Sequence, residues 1–163
     1  MEYKIFSSYL DIFRHSGIII PKRGEAMNGV IQISDALSLA LHGMGLLASS
    51  GKRMNVREMA ERINVSEAHL AKVFQRIVKS GLVYSTRGPS GGFELTRPPS
   101  EISLYEIYEI IEGVPDSGYC LLKGTECPFN SCVFGGMIES MTREFTNYLK
   151  NRNLEELIRS EAV

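Results

Sequence analysis

The sequence predicts a mainly α-helical chain with a small β-hairpin wing: a winged helix-turn-helix followed by a long helix with an apolar stripe. Three observations carry this. Two short amphipathic helices, each with its own N-cap signature, are joined by little more than Asn64-Val65. A β-branched and aromatic run follows them and is taken up again after a glycine-rich turn. Basic residues crowd this same stretch, and acidic ones the stretch beyond it.

Regular apolar periodicity begins only after Met27. Residues 1–30 are read as an N-terminal extension: a flexible arm, a short extra helix, or an upstream addition from a mis-assigned start. Ser34 can cap the first regular helix, which carries Leu37, Leu41, Met44, Leu47 and Ala48 at helical spacing and stops at Gly51. Asn55 with Glu58 three positions on is a capping-box signature, and Val56, Met59, Ala60 and Ile63 supply the stripe of a short helix. Ser66 caps the next, with Leu70, Val73, Phe74, Ile77 and Val78 inward and Gly81 at its end.

The period then changes. Leu82–Thr86 and Phe93–Thr96 read as strands around the turn material Arg87–Gly92, a hairpin with a glycine-rich tip. Pro98-Pro99 breaks the chain, and Ser103 with Glu106 opens a capped helix through Tyr105, Ile107, Ile110 and Ile111 to Gly113 and Pro115. Residues 116–131 read as a cysteine-bearing loop. A long helix over about 133–150 carries Phe134, Met137, Ile138, Met141, Phe145, Tyr148 and Leu149 on one side, and Asn153, with Glu156 at its third position, caps a short last helix. The expected division is 31–100 for the winged helix-turn-helix and 101–163 for a cysteine-loop and dimerisation region.

Bulk properties suit one ordinary globular unit: 163 residues, 44% hydrophobic and 23% charged. No apolar run approaches the roughly 20 residues that span a bilayer. The opening MEYKIFSSYLDIFRH lacks the basic–apolar–small order of a signal peptide, so a cytoplasmic address and no membrane partner are expected. The net charge of −1 hides an asymmetry. Residues 52–87 hold eight Lys/Arg against three Glu, a net of +5, whereas residues 101–163 hold eleven acids against five bases, a net of −6. A basic segment followed by an acidic one suggests a nucleic-acid face and a separate solvated half.

The second helix of such a motif enters a major groove about 12 Å wide with its N-terminal residues leading. Here those are Ser66, Glu67, Ala68, His69 and Lys72, with Gln75 and Arg76 further along. His69, Lys72 and Gln75 are spaced three apart and share one polar face, opposite Leu70, Phe74 and Ile77. Ser66 can cap the helix and meet a phosphate beside its free amides. Arg87, flanked by Gly88 and Pro89 at the wing tip, can enter a narrow, electronegative minor groove.

These residues carry a resemblance. The run from Val65 to Leu95, which reads Val-Ser-x5-Lys-Val-Phe and later Lys-Ser-Gly-Leu-Val-x3-Arg-Gly-Pro-x-Gly-Gly-Phe-x-Leu, resembles the Rrf2 (Rrf-two) superfamily of winged-helix transcriptional regulators, with its IscR-, NsrR- and RirA-like members. The likeness spans about 31–160, and Arg-Gly-Pro-x-Gly-Gly is its most specific part. It implies a homodimer packed through the long helix, by Phe134, Met137, Ile138, Met141 and Phe145, bound to a roughly palindromic double-stranded DNA operator. Two-fold pairing of two wings and two reading helices agrees with that.

Cys120, Cys127 and Cys132 lie within thirteen residues, an odd number that argues against a disulfide framework. There is no CxxC pair of the kind zinc knuckles and thioredoxin-like sites use. Three soft thiolates on an irregular loop suit an iron–sulfur cluster, 2Fe-2S or 4Fe-4S. The resemblance implies the same, since cluster-holding members use three cysteines in this loop. For the fourth ligand some members use a His after the third cysteine, where this chain reads Val133-Phe-Gly-Gly136. Others take a carboxylate from the first helix of the partner subunit, where the aligned residue here is Ser38. Asp35 of the partner subunit, one turn earlier, or His42 of the partner subunit, one turn later, stands in its place.

The expected function is therefore a DNA-binding regulator, a repressor, whose operator affinity follows a cluster that senses redox state, nitric oxide or iron supply. One rival is a cluster-free regulator of the same fold answering to a thiol metabolite or a partner protein. Another, of a different class, is an iron–sulfur carrier or redox enzyme. Against that last reading stand the missing CxxC, the lack of a glycine-rich nucleotide loop, and three scattered histidines, His15, His42 and His69. No enzymatic activity is expected.

Overall fold

A computed structural model of the chain describes residues 33–88, 91–115 and 133–159. The described elements run in order as α1 (Asp35–Ser50), α2 (Val56–Arg62), α3 (Glu67–Lys79), β1 (Val83–Thr86), β2 (Gly92–Leu95), a 3-10 turn (Pro99–Glu101), α4 (Leu104–Glu112), α5 (Met137–Lys150) and α6 (Leu154–Arg159). Among the described residues no helix is long and apolar enough to cross a membrane.

The caps explain most of the boundaries. Ser34 accepts the Leu37 amide at the start of α1, and Gly51 closes that helix in a left-handed conformation, φ 61°. Asn55 accepts the Glu58 amide. The reciprocal half of the expected box is absent from the described contacts, because the Glu58 carboxylate turns to Arg62 at 3.0 Å. At α4 the full box forms: Ser103 Oγ accepts the Glu106 amide and Glu106 accepts the Ser103 amide. Asn153 accepts the Glu156 amide at 3.0 Å, capping α6.

β1 and β2 pair antiparallel in the register Val83↔Leu95 to Thr86↔Gly92. The wing has a third, unforeseen strand-like contact. Met54 and Phe93 exchange both backbone hydrogen bonds, at 3.0 and 2.8 Å, so the link between α1 and α2 is stitched to β2. A second isolated bridge, Ser103↔Asn153, ties the starts of α4 and α6.

One core runs through all of this. Leu37, Met44 and Leu47 of α1, Met59 of α2, Leu70, Phe74 and Ile77 of α3, Val83 of β1, Ile102, Ile107 and Ile111 around α4, Leu149 of α5 and Leu154 of α6 form a single buried cluster. Residues on both sides of residue 100 contribute to it. Phe74 is its pivot: its ring lies 4.9 Å from that of Phe93, and Gly43 of α1 faces it closely enough that a methyl group there would lie 2.5 Å from Cε2. Fully burying such a ring contributes about 3 kcal/mol.

The long helix needs one correction. It begins at Met137, not 133, because Gly135 and Gly136 take left-handed conformations, φ 54° and 83°, which a helix cannot continue through. Phe134 thus stands in the preceding turn, its carbonyl accepting the Met137 amide at 2.8 Å.

Candidate nucleic-acid interface

Apolar packing on their inner side, with the Met54–Phe93 bridge, holds the helices and the wing relative to one another. α3 buries Leu70, Val73, Phe74 and Ile77. Its opposite face is exposed along Ser66, Glu67, Ala68, His69, Lys72, Gln75 and Arg76. Ser66 occupies the N-cap position with extended backbone, but its hydroxyl makes no cap hydrogen bond. The expected side-chain cap is missing, so both the hydroxyl and the first amides of α3 remain open to an external acceptor.

The wing stands beside this face. Thr86, Arg87 and Gly88 are exposed, and the tip is closed by the Gly91 amide donating to the Gly88 carbonyl at 2.8 Å. Pro89, also expected at the interface, lies outside the described residues.

The net charge of the segment overstates the charge free to meet a phosphate. Of its eight bases, Arg53 pairs with Glu94 of β2 at 2.9 Å, Arg57 with Glu61 at 3.0 Å and Arg62 with Glu58 at 3.0 Å. The hydrogen bond to Glu61, then the charges of Glu61 and Glu67, hold the Arg57 guanidinium above its ordinary range. The side chains of Lys52, Lys72, Lys79 and Arg87 are exposed and make no ion pair or hydrogen bond among the described residues.

Arg76, the eighth base, is exposed but its guanidinium is turned to another helix. Its Nη2 donates to the Ile110 carbonyl at 2.9 Å and to the Ile111 carbonyl at 2.7 Å. These are orphan acceptors at the negative end of α4, which a guanidinium satisfies better than water. No sequence rule points to a contact between residues 34 and 35 positions apart. The Arg57/Glu61 and Glu58/Arg62 pairs, by contrast, were readable from their i,i+4 spacing.

Cys120, Cys127 and Cys132 lie outside the described residues. Among the described residues there is no group of three or more His, Cys, Asp or Glu that could hold a metal. The two candidate fourth ligands, Asp35 and His42, are exposed and stand seven residues apart on one face of α1, with Ser38 between them. His42 Nδ1 lies 2.7 Å from the Ser38 carbonyl. A carbonyl only accepts, so Nδ1 is the donor in this contact and Nε2 is left for another partner. A backbone-anchored imidazole of this kind is a common arrangement of a metal-ligating histidine. The donor set, three thiolates with an exposed carboxylate or imidazole, fits an iron–sulfur cluster.

α5 presents its stripe mostly outward. Only Leu149 is buried, Met137 is 55% and Phe134 41% exposed, and Ile138, Met141 and Phe145 are half-buried. Phe145 has a partner within the chain: its ring meets Tyr108 of α4 edge-on at 5.6 Å.

Comparison with known proteins agrees with this geometry. The family model described as "Rrf2: Iron-dependent Transcriptional regulator" matches residues 33–160. A protein of Aquifex aeolicus (strain VF5) assigned to the HTH-type transcriptional regulators is 31% identical over 132 residues, which cover 78% of this chain and 92% of the relative. The HTH-type transcriptional regulator IscR of Escherichia coli is 29% identical over 117 residues, covering 72% of each chain. Among solved structures, CymR, the global cysteine regulator of B. subtilis, superposes with a TM-score of 0.67 at 26% identity, over 79% of this chain and 97% of that one. IscR of T. potens shares the fold, with a TM-score of 0.64 at 23% identity over 80% of this chain and 88% of that one. These relatives are regulators of transcription and not enzymes. The chain belongs to the Rrf2 family of winged-helix transcriptional regulators.

Proposed function

We propose that this chain is a cytoplasmic, cluster-gated repressor that binds a roughly palindromic operator as a homodimer. The observation that carries the DNA reading is the outer face of α3 and the wing. His69, Lys72 and Gln75 are exposed on the helix, Arg87 is exposed at the hairpin, and Lys52, Lys72, Lys79 and Arg87 are cations with no internal partner among the described residues. Ser66 and Glu67 lead the helix into the major groove, where a glutamate accepts from a cytosine amine and a glutamine reads adenine. Arg87, with Gly88 and Pro89, enters the minor groove. α5 pairs with its copy through Met137, Ile138 and Met141, with Phe134 and the outer edge of Phe145 at the margin.

Cys120, Cys127 and Cys132 hold an iron–sulfur cluster, 2Fe-2S or 4Fe-4S, with Asp35 or His42 of the partner subunit as the fourth ligand. Bound there, the cluster supplies a site whose oxidation or loss by oxygen, nitric oxide or iron shortage is the signal. The chain's own part is to carry the state of that loop through α4 and α5 to the spacing of the two α3 helices. A coupling of this kind amounts to about 1–3 kcal/mol.

A second reading rests on the likeness to CymR: a cluster-free regulator that answers to a thiol metabolite or a partner protein. Anaerobic purification separates the two. The cluster reading expects coloured protein with iron and acid-labile sulfide, bleached in Cys127→Ala while the fold persists by circular dichroism, and altered operator affinity in that variant. Colourless, iron-free protein whose operator affinity responds to a thiol metabolite instead would establish the second reading.

A further inference from the structure

The end of α4 is a junction. Arg76, in the last turn of α3, hydrogen-bonds both the Ile110 and Ile111 carbonyls through one nitrogen. Ser34, the N-cap of α1, donates through its hydroxyl to Glu112, the last residue of α4. Glu112 and Gly113 then lead into the stretch of sequence that carries Cys120, eight residues beyond Glu112. Three helices thus meet by polar contacts at one helix terminus, while among the described residues α3 and α4 otherwise join through buried apolar side chains. Apolar contacts have no fixed direction, so a packed seam can exchange between discrete arrangements. Two charge-assisted hydrogen bonds to fixed carbonyls resist such an exchange, because a shift of about 1 Å forfeits them.

We propose that Arg76 is the positioning residue that makes the DNA-reading helix follow the C-terminus of α4, so that a change in the cysteine segment alters operator affinity through this guanidinium. The inference rests on the cluster-gated reading above and adds the residue through which gating reaches α3. With Arg76 in place, a displacement of Ile110 and Ile111 carries α3 with it. Without it, α4 moves over the apolar seam and leaves α3 where Phe74 holds it.

The test uses the full chain, loaded anaerobically with iron and sulfide or stripped with a chelator, and a duplex selected by the wild-type protein from a random pool. For wild type the two states should differ in Kd by about 5-fold or more, the usual range for coupled sites. Arg76→Gln, compared at matched iron content, should bring that ratio to within about 2-fold of one. Arg76→Lys, which keeps a cation but only a point donor, should restore part of it. A merely structural arginine would lower the melting temperature and weaken both states alike, leaving the ratio at the wild-type value, and that result overturns the proposal. If Arg76→Gln does not fold, the ratio in Arg76→Lys decides: a value equal to wild type overturns it, a reduced one supports it. A wild-type ratio of one sinks the cluster-gated reading and this inference with it, whereas a large wild-type ratio unchanged in the variants sinks the inference alone.

Discussion

Salt dependence tests the interface most directly, because the structure gives a smaller number than the sequence does. Each phosphate neutralised on duplex DNA contributes about −0.9 to the slope of log K against log salt. If all eight bases of residues 52–87 met phosphates, a dimer would engage sixteen, for a slope of about −14. The structure commits three of them to Glu94, Glu61 and Glu58 and one to carbonyls. Four unpaired cations per protomer remain, eight per dimer, and a slope of about −7 follows. Between 50 and 200 mM salt that is a loss of about four decades in affinity. Fluorescence anisotropy on a selected duplex at five salt concentrations measures it. Lys72→Ala should shrink the slope by about 2, since two copies are lost, while Arg57→Ala should leave it within about 0.5. Equal losses from the two variants, or a wild-type slope near −14, would refute the assignment of free and paired cations.

Three further outcomes follow from the packing and from one carboxylate. Gly43→Ala puts a methyl group 2.5 and 2.8 Å from two Phe74 ring carbons; overpacking of about 1–3 kcal/mol exceeds the roughly 1 kcal/mol that alanine returns in a helix, so the urea midpoint should fall with m unchanged, and a midpoint at or above wild type would contradict it. Gly92→Ala sets its Cβ 2.5 Å from the Met54 carbonyl oxygen, where backbone cannot yield, so amide exchange at Met54 and Phe93 should accelerate; unchanged protection at both would count against the bridge as a fixed part of the wing. At Glu106 burial pushes the carboxyl up, but the Arg97 hydrogen bond at 2.5 Å, the Ser103 amide and the Arg97 charge outweigh it and hold it below the ordinary value of 4.5. A depressed folded-state pKa stabilises above the unfolded value and is lost as pH falls through the folded one. The stability gap between wild type and Glu106→Gln should therefore be widest at neutral pH and narrow below about 4.5, and a gap independent of pH would be inconsistent with it.

The elements were legible because their signals are local. Caps at Ser34, Asn55, Ser103 and Asn153, the stripes of α1 and α3, and the change of period at Leu82 each need only a few neighbouring residues, and each stands where expected within a residue or two. The start of α5 was misplaced because Phe134 continues the apolar stripe, whereas the chain's conformation there is decided by Gly135 and Gly136. What escaped were contacts made across the fold. Met54 with Phe93, Arg53 with Glu94 and Arg76 with α4 join residues 34 to 41 positions apart, and nothing in a periodicity distinguishes a paired arginine from a free one. The candidate site was legible as a face, but not which of its charges were already spent inside the protein.

The shared core bears on how signal and DNA reading are connected. Two domains on a linker would let the cysteine-bearing half change without consequence for α3, and regulation would then need a second contact made only on DNA. Here the inner faces of α1, α3, α4 and α6 bury residues into one cluster, with Phe74, Ile77 and Ile107 fully enclosed. Interiors packed to crystal-like density do not deform smoothly; they move as bodies or exchange between discrete arrangements. α3 meets α4 directly, through side chains packed against side chains and the Arg76 bonds at one end. On the proposed function, an alteration of α4 reaches the outer face of α3 without any new contact being formed, and the size of the response depends on how firmly α3 is tied to α4.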